Sequence, residues 1–530
     1  MNFSNLDLII FIAYCVVIIG IGLWISREKK GIKKDAKNYF LASKALPWWA
    51  VGASLISSNI SAEQFIGMSG SGFKIGLAIA SYEWMAALAL IVIAVFFVPI
   101  YIKQGIFTMP QFLQQRFDNR VKVVMAIFWL AVFVFINLTS ILYLGALAMQ
   151  SMLGWNLLPS ILLLAFVAAA YSIYGGLKAV AWTDVIQVVL LVIGGLLVTY
   201  TALNLLGHGS FFGGVNTLFT EAPEKLNMIL DKSHNYYKDL PGWGVILGGM
   251  WVANLYYWGC NQYIIQRALG AKNVSEAQKG VLFAGFLKLL LPLIVVVPGI
   301  IAFLLYEKGM LSPGNMELLS SGSDKAYPIL LTLLPQGIRG LAFAALVAAI
   351  VSSLASMMNS ISTIFTMDIY KSYFNKNASE TNLVLTGRIT AFVAICIAVC
   401  VAPLLTNLDQ AFQYIQEFTG FISPGALAIF LAGFFYKRAT SNGALAAALS
   451  TFVFSLLFKL ILPEIPFLDR MGYVFLICCF VIWFFALIEN KKTDVKTLVF
   501  DKNMFKTSTG FKIGALIIVV ITIILYTIFR

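Results

Sequence analysis

Charge is what this chain has least of. Of its 530 residues only 12% are Asp, Glu, Lys or Arg, about half the fraction in a soluble domain. Histidine occurs twice, at His208 and His234. That leaves a histidine-based catalytic or metal centre almost nothing to work with. The six cysteines, Cys15, Cys260, Cys396, Cys400, Cys478 and Cys479, show neither C-x-x-C nor zinc-ligand spacing. They read as small buried hydrophobes. No nucleophile–base set is apparent, which argues against an enzyme. No soluble output domain is present, which argues against a sensor. No repeat at solenoid period occurs.

Apolar sequence fills the space that charge leaves. Hydrophobic residues make up 60% of the chain and come in runs such as LALIVIAVFFVPIYI (88–102) and IGALIIVVITIILYTIF (513–529). Runs of about 17–25 apolar residues match the bilayer core, so the chain reads as an all-α polytopic membrane protein. Fourteen spans are expected, near 6–26, 47–71, 76–102, 122–152, 156–174, 180–206, 243–266, 276–305, 338–370, 382–405, 411–436, 441–462, 471–489 and 512–529. The first lacks a basic n-region and a cleavage site, so it reads as a retained span. The net charge of +13 is explained by topology rather than by nucleic acid. Residues 27–44 are densely basic, and placing them inside puts most Lys and Arg in cytoplasmic loops. These loops would face anionic lipid. An even number of spans then leaves both termini external.

Polar residues interrupt this pattern in three places. The second span holds LISSNISAEQFIG (55–67), the seventh holds WVANLYYWGCNQ (251–262), and the ninth holds VSSLASMMNSIS (351–362). All three read as interrupted spans. The second and seventh lie five apart, the separation of discontinuous helices in carriers built from two inverted halves. Serine ordinarily serves close helix packing. Adjacent Ser352 and Ser353 facing Ser57, Ser58 and Asn59 would instead make an oxygen cage suited to Na⁺. Glu63, Glu83, Asp184 and Lys288 fall inside spans, and each costs a few kcal/mol unless paired or wet. Glu83 and Lys288 form either a structural pair or two walls of a polar cavity. With the amides Gln64, Asn254 and Gln416, and the rings of Tyr257 and Trp258, the set suits a neutral ligand whose hydroxyls both donate and accept. An anionic ligand would call for Arg, and no span centre has one. A channel is disfavoured because no filter motif appears.

Beyond these features, Gly154, Leu157 and YSIYGGLKA (171–179) follow a signature of the sodium:solute symporters, and the chain resembles that family on its sodium/galactose and sodium/glucose branch. PWWAVGASLI, NISAEQFIGMSGSG, GLAIASYEWM, WTDVIQV, WVANLYYWG, NQYIIQR, VSSLASM, TIFTMDIYK and AFQYIQE extend the resemblance over most of the chain. It implies a LeuT-like core of two inverted five-helix repeats, 47–206 and 243–436. The loop 207–242 joins them, 1–46 precedes them as one span plus the basic loop, and 437–530 follows as three spans. It implies sugar contacts at Gln64, Glu83, Asn254, Lys288 and Gln416, with Tyr257 stacking on the sugar as inner gate beside Trp258. Met68, Tyr82 and Phe412 would form the outer lid. Na⁺ would meet the carbonyls of Ser57, Ile60 and Ala349 and the hydroxyls of Ser352 and Ser353, with Asp184 serving coupling. Three departures stand out. Ala86 replaces a serine that contacts sugar in the family's galactose carriers, Ser57 replaces an alanine that serves the ion through its carbonyl, and Ala355-Ser356 replaces the second Ser-Ser pair of members with two sodium sites. The implied function is uptake of galactose, or glucose, with one Na⁺ per sugar, by alternating access in the bacterial cytoplasmic membrane. Sodium symport of sialic acid, an amino acid or a vitamin, and proton-coupled sugar symport through Glu63, Glu83 or Asp184, remain as alternatives.

Overall fold

The computed structural model describes residues 3–25, 45–106, 108–406, 410–490 and 501–530. The basic loop 27–44 lies outside them. The described residues form helices joined by turns and loops, the longest between Leu226 and Trp243, and Leu46 and Ala271 make an isolated bridge. Nine described helices are long and apolar enough to cross a bilayer, and the bent pair Ala411–Thr419 and Ser423–Phe435 makes a tenth. The first, second, fifth and seventh expected spans are not among these ten. The described apolar parts of the first and fifth are short, Asn5–Ile18 and Leu157–Ala170. The other two are divided into shorter pieces.

Backbone breaks follow the polar residues in two of the three places. In the second span, helix Trp48–Asn59 ends at Ile60, which is extended. A π-helical turn, Glu63–Met68, and a short helix, Ser69–Lys74, continue it. The seventh is divided at Gly248 and again at Cys260–Asn261, leaving Gly249–Gly259 regular. The ninth differs from expectation. Ile338–Ile364 is one unbroken α-helix that widens into a π-helix at Phe365–Phe374. Its serines point sideways to neighbours and do not open the backbone.

The fifth and sixth spans share helical backbone from Leu157 to Leu206. Leu164 and Gln187 nonetheless line one groove, where a straight helix would hold them about 35 Å apart. The chain therefore doubles back between them. The eighth span, Val274–Glu307, runs along both halves of the second. A Cβ at Gly299 would fall 2.0 Å from the Ser69 carbonyl oxygen, and one at Gly52 would fall 2.6 Å from that of Gly280. Only glycine permits these backbones to approach so closely. The cysteine expectation holds in part. Cys260 and Cys478 are buried, whereas Cys396 and Cys400 are exposed on the outer face of the tenth span.

Candidate functional site

Two polar clusters meet at the end of helix Trp48–Asn59. The first is a chamber. Asn59, Glu63, Gln64, Tyr82, Glu83, Ala253, Asn254, Tyr257, Trp258, Lys288, Phe412 and Gln416 line it. All six residues expected to contact sugar are thus brought together, with three of the four expected gate residues.

The eighth span supplies the cation. Lys288 is 1% exposed, and its Nζ donates to Glu83 Oε2 and to Asn59 Oδ1. It also lies 4.9 Å from the centroid of the Trp258 ring. Pro292 removes the amide that would bond the Lys288 carbonyl one turn earlier, which loosens the helix at this level. Beside the ion pair, Trp84 Nε1 donates to the Leu289 carbonyl at 3.3 Å. Two adjacent residues of the third span therefore grip two adjacent residues of the eighth. Asn59 Nδ2 donates to the Tyr257 hydroxyl at 3.1 Å, so Asn59 ties the ion pair to the expected inner gate. Gln64 Oε1 accepts from the Ser61 amide at 3.2 Å, and Asn254 Nδ2 donates to the Met250 carbonyl at 3.2 Å.

Aromatic rings close one side. Tyr82 and Phe412 meet edge to face with centroids 5.1 Å apart, and the Tyr82 hydroxyl is buried without a hydrogen-bond partner. Met68 is fully buried just behind them. Its neighbour Gly67 abuts Phe412, whose Cβ lies 3.1 Å from the Cβ position at Gly67. The chamber encloses about 40 Å³, room for a few waters. A hexose requires these walls to part. Ala86 is buried one turn beyond Glu83, off the chamber wall.

The second cluster surrounds Asp184, which is wholly buried. Ser54 Oγ donates to its Oδ2 at 2.6 Å. Its Oδ1 accepts from Ser57 at 3.1 Å and Ser352 at 2.6 Å. Ser353 Oγ donates to the Ser58 carbonyl at 3.4 Å. The second, sixth and ninth spans therefore converge here. With the Ser57 and Ser352 hydroxyls donating to Asp184, their lone pairs would be free for a cation, and an ionised Asp184 would supply charge from behind. The Ser57 carbonyl lacks its onward helical partner, because the Ser61 amide donates to Gln64 Oε1 instead. Ile60 caps that helix, and Ala349 is buried one turn before Ser352 and Ser353. A hard-oxygen set of this kind fits Na⁺ and lacks the nitrogen or sulfur donors of a transition-metal site.

Several participants escaped the sequence. Asn59 was placed with the ion residues but serves the chamber. At about 100° per residue, Ser57 and Asn59 point to nearly opposite sides of the helix. Glu63, flagged in sequence as a charged residue within a span but not as a sugar contact, lines the chamber, with Oε1 buried and without a partner. Ser54 and Gln187 join the Asp184 cluster, Ser57 lying 3.4 Å from Gln187 Oε1. Arg267 is 0% exposed. Its guanidinium donates to Ser58 Oγ at 2.9 Å and to Ser356 Oγ, bridging the second and ninth spans. No span centre carries it in sequence because it ends the seventh, beyond the break at Asn261.

Comparison with known proteins follows from this geometry. Residues 39–450 match the sodium:solute symporter family. A sodium/glucose cotransporter of Vibrio parahaemolyticus is 51% identical over 534 residues, 99% of this chain and 98% of that protein. A human sodium/myo-inositol cotransporter is 36% identical over 84% of this chain and 66% of its own length. The solved structure of a Na⁺-coupled sialic acid symporter, substrate-bound and outward-open, aligns with TM-score 0.80 over 92% of this chain and 98% of its own, at 21% identity. At that identity the likeness shows the fold, which is LeuT-like.

Proposed function

This chain belongs to the sodium:solute symporter family, as an integral membrane carrier coupled to Na⁺ and not an enzyme, and from that premise we propose that it takes up a neutral monosaccharide, galactose or glucose, with one Na⁺ per sugar. The observation that carries this reading is the end of helix Trp48–Asn59. Ser57 faces the Asp184 cluster, and Asn59, two residues on, faces the chamber. An ion that orders this turn also orders the sugar contacts.

The charges lining the chamber favour a neutral ligand. Lys288 is matched by Glu83, and Glu63 adds a further carboxyl group. No Arg lines the chamber among the described residues, so a sialic acid carboxylate would face acid without a guanidinium to bind it. Hydroxyls of a pyranose suit Gln64, Glu83, Asn254, Lys288 and Gln416, with Tyr257 and Trp258 against its apolar face. Arg267 supports a single ion. It holds Ser356, the residue standing where other members have the second hydroxyl pair.

In this reading Na⁺ enters from outside between Ser57, Ile60, Ala349, Ser352 and Ser353. It joins the second span to the ninth and fixes Asn59. Sugar then fills the chamber under Met68, Tyr82 and Phe412. After the core turns inward, loss of Na⁺ loosens Asn59, and Tyr257 releases the sugar. Coupling requires each ligand to favour the same state reciprocally. One charge moving down 100 mV contributes about 2.3 kcal/mol and a tenfold sodium gradient about 1.4. Together they sustain accumulation of about a few hundredfold. The reading places the protein in the bacterial cytoplasmic membrane with both termini outside.

Proteoliposomes loaded without sodium test it. An inward Na⁺ gradient should drive concentrative uptake of labelled galactose, with glucose and myo-inositol as competitors, while K⁺ and choline gradients should not. Uptake driven equally well by a proton gradient would overturn the ion assignment. Indifference to every sugar, with Na⁺ still protecting the protein from heat, would overturn the substrate.

A further inference from the structure

A second groove lies on the opposite side of the eighth span from Lys288, toward the face of the membrane where the second, eighth and fourteenth spans begin. It encloses about 390 Å³. Leu282, Phe283 and Phe286 of the eighth span and Phe511 of the fourteenth form its apolar walls. Trp48, Lys279, Ser508 and Gly510 also line it. Trp48 opens its helix, Lys279 lies in the second turn of the eighth span, and Ser508 is the N-cap of Thr509–Ile528. From Lys279 to Phe286 is seven residues, about 10 Å along the helix. The groove therefore runs from headgroup level into hydrocarbon.

We propose that this groove seats one anionic phospholipid, its acyl chain along Phe283, Phe286 and Phe511 and its phosphate against Lys279. Charge complementarity and the bilayer together select the occupant. The walls are apolar and open toward hydrocarbon, so an acyl chain covers them. The mouth is cationic. Lys279 is 45% exposed, and its recorded carboxylate neighbour, Glu276, is 3.9 Å away. The other Glu276 oxygen is engaged by the Trp48 amide at 2.8 Å. Lys272, Lys506 and Lys512 are exposed on the same helix starts. Three helix N-termini add partial positive charge at this level. Trp48, 39% exposed and edge to face with Phe283 at 5.5 Å, sits where tryptophan favours the headgroup boundary. A zwitterionic lipid fills the walls equally well but gains less at the mouth. The site shares no residue with the chamber or the Asp184 cluster, so it stands or falls apart from the sugar reading.

Native mass spectrometry of delipidated, full-length protein titrated with phosphatidylglycerol and phosphatidylcholine tests the site. Wild type should retain phosphatidylglycerol about fivefold more tightly, the worth of one lysine near an anionic surface. Lys279→Gln, an exposed change, should abolish that preference, and Gly510→Trp should weaken retention of both lipids by filling the groove. Sodium-dependent thermal stability checks that both variants are folded. Equal retention of the two lipids by wild type, or an undiminished preference in Lys279→Gln, would overturn the proposal.

Discussion

Replacing Lys288 by alanine separates two roles that the chamber superimposes. Lys288 holds Glu83 and Asn59 within the fold, and in the proposed cycle it also donates to a sugar hydroxyl. Its loss leaves Glu83, 2% exposed, as an uncompensated buried charge, a change worth about 3–5 kcal/mol of stability. The lost hydrogen bond between sugar and ammonium is worth about 1.5–3 kcal/mol, or about 10- to 150-fold in affinity. The single variant confounds these terms. The double variant Glu83→Ala/Lys288→Ala removes both charges and should recover most of the stability. It leaves Asn59 Oδ1 without its donor, at about 1 kcal/mol. Thermal unfolding in detergent reads the first term, and tracer uptake in proteoliposomes reads the second. A double variant that is stable but still at least tenfold deficient in sugar affinity identifies the pair as part of the ligand site. Wild-type uptake by the double variant would show that the pair only locks the third span to the eighth, and the chamber assignment would be wrong.

Three further perturbations reach other parts of the structure. Asp184→Asn removes the charge behind Ser57 and Ser352, so half-maximal uptake should need about tenfold or more Na⁺, with little change in sugar affinity at saturating Na⁺; an unaltered sodium titration would move the ion elsewhere. Tyr257→Phe gives up the hydrogen bond from Asn59, worth about 0.5–1.5 kcal/mol, and should speed release of sugar inward by up to about tenfold in efflux assays. Gly70→Ala places a Cβ 2.2 Å from Asp324 Oδ1 and 2.9 Å from its Cα, and Asp324 also accepts from the Ala411 amide at 3.2 Å. That overpacking should cost about 1–3 kcal/mol in thermal stability and weaken sugar retention through the adjoining Phe412.

Membrane spanning was plain from apolar runs, because lipid demands continuous hydrophobic length. The break after Asn59 was equally legible, since polar residues that crowd a span need backbone that can accommodate them. The ninth span shows where that inference fails. Serines at 352, 353, 356 and 360 satisfy themselves through Asp184, Arg267, Gln266 and neighbouring carbonyls, and the helix stays whole. Arg267 was hidden for a related reason. Its position depends on the break at Cys260–Asn261, beyond which the short helix Gln262–Leu269 sets it between Ser58 and Ser356, and residue order does not reveal that path. The side taken by Asn59 followed from helical angle, yet its partner Lys288 lies 229 residues away. The signature run carried the resemblance, but the chamber and the Asp184 cluster are built from residues elsewhere in the chain.

The two-residue offset between Ser57 and Asn59 also bears on how such carriers diversify. The Asp184 cluster lies along a seam of the second, sixth and ninth spans. Chamber residues come mainly from the third, seventh, eighth and eleventh, and meet that seam at a single helical turn. In the proposed cycle, substitutions at Glu83, Asn254 or Gln416 would therefore change the cargo while leaving the Asp184 cluster intact. The sodium/glucose and sodium/myo-inositol cotransporters named above differ in cargo and share sodium, the pattern expected of a lineage that changes its freight and keeps its fuel.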